Sequence, residues 1–399
     1  MIRRSLACML TLGLVACATQ PQTPSPSPQA SGVPVTPAAG NKPAAGNKPA
    51  AGNKPAAGNK GPAEAAPEAA GANAAPVDLT PVPFEVARAN FVRDTAARYG
   101  IPAAHIEATL AQAQIRDPII AAMSRPAERV KPWNEYRPMF ISQARIEGGR
   151  KFLAQHRDEL MRVQQRTGVP AEVIVAIIGV ETSYGGNTGN YRVLDALYTL
   201  AFKYPRSGDP AKLEREVRRE LFFRDELARL FALTRDEKLD ITAIKGSYAG
   251  AMGMGQFMPS SYLDYAVDGN GDGRRDLFNS YDDVFSSIAN YFVKKGGWVR
   301  GGPVAVPATL QAGREPFNPT EWAPTWSLSE LAQRGYQPSV PVAAGLTATP
   351  ITLEGSTGKQ YWLGFQNYYA ITRYNLSKMY AMAVYQLSQA IAGQELPPA

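Results

Sequence analysis

The chain has 399 residues, with 42 Lys and Arg against 35 Asp and Glu, and two cysteines. The formal charge of +7 overstates the folded part, because residues 1–82 hold six basic and three acidic side chains, leaving +4 for the rest. That mild surplus suits a polyanionic polymer and is too weak to argue for nucleic acid.

The N-terminus reads Met1-Ile2-Arg3-Arg4, then a largely apolar run from Leu6 to Ala16. Basic residues before a short apolar stretch describe a secretory signal, too short to stay as a membrane span. Leu14-Val15-Ala16-Cys17 has the form of a lipobox, which predicts a signal peptide over 1–16 and lipid on Cys17. With Cys8 removed and Cys17 acylated, no thiol remains for a disulfide or a Cys-ligated metal. Residues 17–82 are rich in Pro, Ala, Ser and Gly and carry four copies of one hexapeptide, Pro37 to Lys60. A period of six with no apolar face predicts a disordered tether. Ala18, rather than an acid, after Cys17 favours anchoring in the outer membrane of a Gram-negative cell, facing the periplasm.

From residue 83 the composition becomes globular. Phe84 to Tyr99, Ala103 to Gln114 and Phe140 to Arg166 read as amphipathic helices, with Gly100-Ile101-Pro102 and Gly168-Val169-Pro170 as breaks. Val173 to Val180 has no polar side chain, and its length and Pro170 start favour a buried helix that stops at Gly185-Gly186. Helices follow at Val193 to Lys203, Lys212 to Leu233, Asp283 to Lys295 and Asn375 to Ala392. Between about residues 301 and 369, short alternating runs such as Tyr361-Trp362-Leu363-Gly364-Phe365 predict a small β-containing segment. The sum is a mostly helical α+β domain over 83–399.

Three motifs carry chemistry. Glu181 ends the apolar helix, where desolvation and the negative helix pole both favour a held proton, as a general acid near neutral pH requires. The competing reading is an edge Glu that turns to solvent or pairs with an Arg. The stretch from Ser247 to Ser261 places Gly250, Gly253 and Gly255 among small residues, too dense in glycine for a stable helix. Such a loop lets backbone approach a ligand, with Gln256 offering an amide to sugar groups, or is simply a packed turn. No Lys follows the glycines, so a phosphate loop is a poor fit. Asp268, Asn270 and Asp272, with Gly273 and the carbonyl of Arg274, match the start of an EF-hand loop spanning 268–283. Asp276 stands at the ninth position and Asn279 at the twelfth, where Glu is usual; Asp282 or Asp283 would close a longer loop. Calcium in a structural role is expected. His105 and His156 have no metal spacing, Trp298 reads as core, and Trp322, Trp326 and Trp362 read equally as core or as sugar platforms.

Gly179-Val180-Glu181-Thr182-Ser183-Tyr184-Gly185-Gly186, the Ser247–Ser261 stretch, the metal loop with Ile288-Ala289-Asn290-Tyr291-Phe292, and the late run through Ile371-Thr372-Arg373-Tyr374-Asn375 occur in one order. Together they resemble the membrane-bound lytic murein transglycosylase B family over roughly Phe84 to Ala392. The resemblance implies a lysozyme-like catalytic core with a helical lobe, a small β subdomain and an EF-hand-like Ca²⁺ loop. It implies cleavage of the β-1,4 bond between N-acetylmuramic acid and N-acetylglucosamine, leaving 1,6-anhydromuramoyl ends. By motif position Glu181 is the acid, while Ser247, Gln256, Tyr291, Tyr368 and Tyr374 contact substrate. The metal residues are Asp268, Asn270, Asp272, Arg274 and Asp283. Expected partners are peptidoglycan glycan strands, the membrane through the N-terminal lipid, and cell-wall synthases or amidases; nucleic acid is not among them, and the chain is expected to be a monomer.

Hydrolysis of the lysozyme type wants two carboxylates, and Asp195 is the nearest acid after Glu181. The family chemistry implied by the resemblance needs one, because the substrate carries its own nucleophile. A non-catalytic wall-binding lipoprotein is the competing class.

Overall fold

The computed structural model describes residues 76–124 and 131–397; the signal segment 1–16, Cys17 and the tether up to residue 75 lie outside the described residues. The chain enters through α1 (Phe84–Tyr99), stopped by Gly100 in the left-handed region at φ 64°, then α2 (Ala103–Leu110) and α3 (Asp117–Ser124). A short α4 (Trp133–Tyr136) runs into a 3₁₀ turn at Arg137–Met139.

The stretch expected as one helix over 140–166 is two, α5 (Gln143–Gln155) and α6 (Arg157–Thr167), joined at His156. His156 leaves helical geometry, with its ring 4.1 Å from that of Tyr281 and 4.6 Å from that of Phe152. Tertiary ring packing overrides a continuous local pattern here.

Next comes α7 (Ala171–Thr182), with ten of its twelve residues buried, packed against α5, α6 and two later helices, α11 and α14. An all-apolar sequence can only be satisfied by neighbours on every side. After β1 (Tyr191–Arg192) and α8 (Val193–Phe202), α9 (Pro210–Asp236) starts at an Asp209 cap. On its exposed face Arg218–Glu214, Arg224–Glu220 and Arg229–Asp225 pair one turn apart. Its inner face buries Glu226, which accepts the Ser260 N–H at 2.8 Å and the Ser260 hydroxyl at 2.5 Å. That carboxyl holds the first turn of α10 (Pro259–Tyr265), which follows β2 (Lys245–Gly246) and the glycine-rich loop. Then comes α11 (Tyr281–Lys294), capped by Ser280.

The segment expected to contain strands holds β3 (Ala305–Leu310), β4 (Trp326–Ser327), α12 (Leu328–Gln333), β5 (Tyr336–Pro338), β6 (Thr347–Gly355) and β7 (Gly358–Gly364). They form an antiparallel sheet in the order β4-β6-β7-β3-β5, with Ile351 opposite Trp362. The sheet has its own small core of Ala308, Leu331, Tyr336, Ala348, Leu363 and Phe365. The chain ends with α13 (Gln366–Tyr374), which begins inside the stretch read as β-containing, and α14 (Lys378–Ile391). Trp298 is core, as expected, with its indole N–H donated to the Gly168 carbonyl at 3.0 Å. Trp362 is also buried. Among the described residues no helix is long and apolar enough to cross a membrane.

Candidate active site

Glu181 sits on the last turn of α7 and is half-buried as a residue. Burial pushes its carboxyl up to about 7, against a smaller opposing effect from the Tyr380 hydroxyl. That hydroxyl donates to Glu181 Oε1 at 2.5 Å. Tyr380 is fully buried on the first turn of α14, where the Ser377 hydroxyl accepts its N–H. Burial, and then the charge of Glu181, hold both Tyr380 and Tyr136 well above the ordinary phenol range. Neither phenol was singled out from the sequence, where each looks like a core aromatic; Tyr380 reaches Glu181 because α14 packs against α7.

Among the described residues no second carboxyl acts on Glu181; burial and Tyr380 are the causes of its shift. Asp195 is committed elsewhere, accepting the Arg192 guanidinium at 2.5 Å and the Gln114 N–H at 2.9 Å.

The helix stops at Thr182, before the expected Gly185-Gly186. Ser183 and Tyr184 take left-handed backbone, φ 51° and 63°, and Gly185 follows at 84°. Such conformations are uncommon outside glycine and need local support. Tyr184 supplies some of it by donating its hydroxyl to the Arg145 carbonyl at 2.6 Å. Its ring lies over Gly179, where a Cβ would come within 2.7 Å of it. The Arg145 guanidinium in turn donates to the Gly179 carbonyl.

The glycine-rich loop is non-helical, as expected, and folds on bridges from Met252 to Gly246 and Phe257. Gly253 runs at φ 69° with its backbone against the Leu277 carbonyl, where a Cβ would stand 2.5 Å away. Gln256 spends its amide N–H₂ on the carbonyls of Thr188 at 3.1 Å and Gly253 at 3.0 Å, which aims its Oε1 as the group left for a donor. Gln256, Phe257, Met258, Ser261, Tyr291 and Tyr374 line a small open hollow. Tyr374 donates to the Gly255 carbonyl and Tyr291 to the Arg373 carbonyl, both at 2.6 Å. Ser247 is half-buried and its hydroxyl accepts the Ala251 N–H at 3.0 Å, bracing the loop from within. Tyr368 departs from the expected place on a groove wall. It is fully buried and donates to the Lys378 carbonyl at 2.6 Å, because α13 turns that face onto the core.

In the 268–283 loop, Asp268 accepts N–H groups from Gly271 at 2.6 Å, Asp272 at 3.2 Å and Gly273 at 2.7 Å. Those bonds, that of Gly273 first, hold its carboxyl below the ordinary range. Asn270 and Asp272 close short turns of their own. Asp283 is fully buried and accepts the N–H groups of Gly269 and Asp276, each at 2.8 Å, stapling the two ends of the loop. Asn279 donates its amide to Asp276. The donors are all oxygens, which fits a hard cation such as Ca²⁺, and each Asp283 oxygen keeps a lone pair. Among the described residues, however, no three His, Cys, Asp or Glu side chains are gathered around one metal-sized point. Here the loop is closed on its own N–H groups.

The mostly helical α+β fold with a small sheet, carrying a desolvated glutamic acid at the end of a buried helix, is of the lysozyme-like class. Residues 83–389 match the transglycosylase SLT domain family. The chain is 42% identical over 311 residues to the membrane-bound lytic murein transglycosylase B of Escherichia coli K12, covering 76% of this chain and 81% of that one. Among solved structures it resembles the catenated lytic transglycosylase SltB1 of Pseudomonas aeruginosa, with TM-score 0.69 and 43% identity over 76% of this chain and 96% of that one. It also resembles the Escherichia coli lytic transglycosylase SLT35 in complex with calcium, with TM-score 0.67 and 42% identity over 77% and 92%. The chain belongs to this SLT family of lytic murein transglycosylases, lyases that cleave peptidoglycan.

Proposed function

We propose that Glu181 alone serves as acid and then base in a water-free cleavage of the muramoyl β-1,4 bond. The observation that carries this reading is a carboxyl pushed up to about 7 on a half-buried residue, with no partner carboxylate among the described residues acting on it. Protonated Glu181 gives its hydrogen to the glycosidic oxygen as the C1–O bond breaks and the glucosamine leaves with its 4-hydroxyl. The substrate's N-acetyl oxygen supports the electron-poor C1. The muramoyl 6-hydroxyl then attacks C1, its proton passes to ionised Glu181, and a 1,6-anhydro ring closes. Atoms balance without water, and the nucleophile arrives already tethered. Tyr380 holds the carboxyl in place, and Gln256 Oε1 suits an acetamido N–H.

Around this site, the 268–283 loop takes Ca²⁺ as a structural ion, which its oxygen donors and the calcium complex of the SLT35 relative support. Asp268, Asn270, Asp272, the Arg274 carbonyl and Asp283 would hold it. The domain over 83–399 acts on peptidoglycan strands from a lipid on Cys17 and the 17–82 tether, at the outer membrane facing the periplasm. The name of the membrane-bound relative agrees with that placement.

The test is mass analysis of muropeptides from purified sacculi, wild type beside Glu181→Gln. The reading expects wild-type products one water lighter than reducing-end muropeptides and none from the variant. Reducing ends alone would mean hydrolysis.

A further inference from the structure

Thr182 follows the acid, is fully buried, and has no part in the reaction just described. Its Oγ1 lies 2.9 Å from the Met254 carbonyl in the glycine-rich loop and 3.1 Å from the Ile178 carbonyl one turn back. It also accepts the Gly185 N–H at 3.0 Å. A hydroxyl has one hydrogen, so it serves either the loop or the helix. The Met254 contact is the shorter of the two and joins two separate motifs.

The next residue, Gly255, accepts the Tyr374 hydroxyl, while Tyr380 donates separately to Glu181. One hydroxyl thus joins the residue after the acid to the loop that Tyr374 also holds. That loop carries Gln256, whose amide is fixed on the Thr188 and Gly253 carbonyls. The left-handed backbone at Ser183 and Tyr184 is pinned at Gly185 by the same hydroxyl.

We propose that Thr182 is a positioning residue, whose hydroxyl sets the spacing between the acid and the sugar-facing glycine loop. This rests on Glu181 being the acid. The competing account is an ordinary buried Thr that bonds back to its own helix, as many do. That account predicts an effect on stability and none on chemistry.

The experiment measures kcat, KM, pH profile and melting temperature of the full chain on sacculi for Thr182→Val, Thr182→Ser and Thr182→Cys. In Thr182→Val the shape is kept and the tie is lost. Its kcat is expected to fall about tenfold or more with KM within about twofold, since small misplacements cost rate before binding. Water entering beside Glu181 lowers its pKa, so the descending limb of the profile moves to lower pH. Thr182→Ser keeps the hydroxyl and is expected to restore kcat and the profile. Should Thr182→Val not fold, Thr182→Cys, a weak donor of similar shape, is expected to show the same kcat loss. A wild-type kcat and profile in the Val or Cys variant overturns the proposal. So does a loss that Thr182→Ser shares and that follows melting temperature. Glu181→Gln run alongside separates the two claims, because activity surviving there sinks the acid assignment whatever Thr182 does.

Discussion

Glu181 at the end of α7 and Glu226 in the middle of α9 are held at the same acidity, about 7, and in both the largest cause is burial. They differ in access. Glu181 is half-buried beside Tyr380, whereas Glu226 is 1% exposed and both its oxygens are engaged by Ser260. A raised carboxyl pKa therefore does not identify an acid catalyst, because an interior staple shows the same shift. What sets Glu181 apart is a held proton on a residue that is not sealed in the core. Asp268 supplies the opposite limit: half-buried and ringed by backbone N–H groups, its carboxyl is held below the ordinary range.

Substitutions that treat the two glutamates alike should separate them. Glu181→Gln keeps shape and removes the transferable proton, so release of soluble muropeptides should drop by about 10²–10⁴-fold, the usual worth of a general acid. Glu226→Gln should keep kcat near wild type and change the pH dependence of stability instead. A folded pKa raised from 4.5 to about 7 means that the native state binds more protons between those values. Stability from this group is fully present below pH 4.5 and is lost as pH rises through 7. The Gln variant should lack that decline, gaining on wild type by up to about 3 kcal/mol at pH 8, measured by denaturant unfolding at pH 5 and 8.

Asp283→Asn tests the third environment. It leaves one of two buried loop N–H groups without its acceptor and should cost about 2 kcal/mol, read as a fall in melting temperature. Wild type should gain melting temperature on adding Ca²⁺, and Asp268→Ala should lose that gain. Smallest is Tyr380→Phe. The lost hydrogen bond favoured ionised Glu181, so its pKa should rise and the descending limb should move up by about one pH unit.

The frame of the molecule was legible because strong local signals bracket its helices. Gly100 ends α1 where expected, while the Asp209 and Ser280 caps start α9 and α11 at Pro210 and Tyr281, just before the expected Lys212 and Asp283. The apolar α7 announced its own burial. The 140–166 helix was misread because its break depends on Tyr281, more than a hundred residues away. The short α10 and α13 lack an independent pattern, and α13 turned Tyr368 inward where a groove wall was expected. Tyr136, Tyr380 and Thr182 were invisible as site residues for one reason: each works through a partner that only the fold supplies. Gln256 was expected at the site from its motif, and its orientation comes from the Thr188 and Gly253 carbonyls, which only the fold supplies.

The most direct measurement is a ¹³C NMR titration of glutamate Cδ resonances in the labelled protein, with the Glu181 signal assigned by its absence in Glu181→Gln. The account predicts a midpoint near 7. A midpoint near 4.5, that of a solvated glutamate, would contradict it.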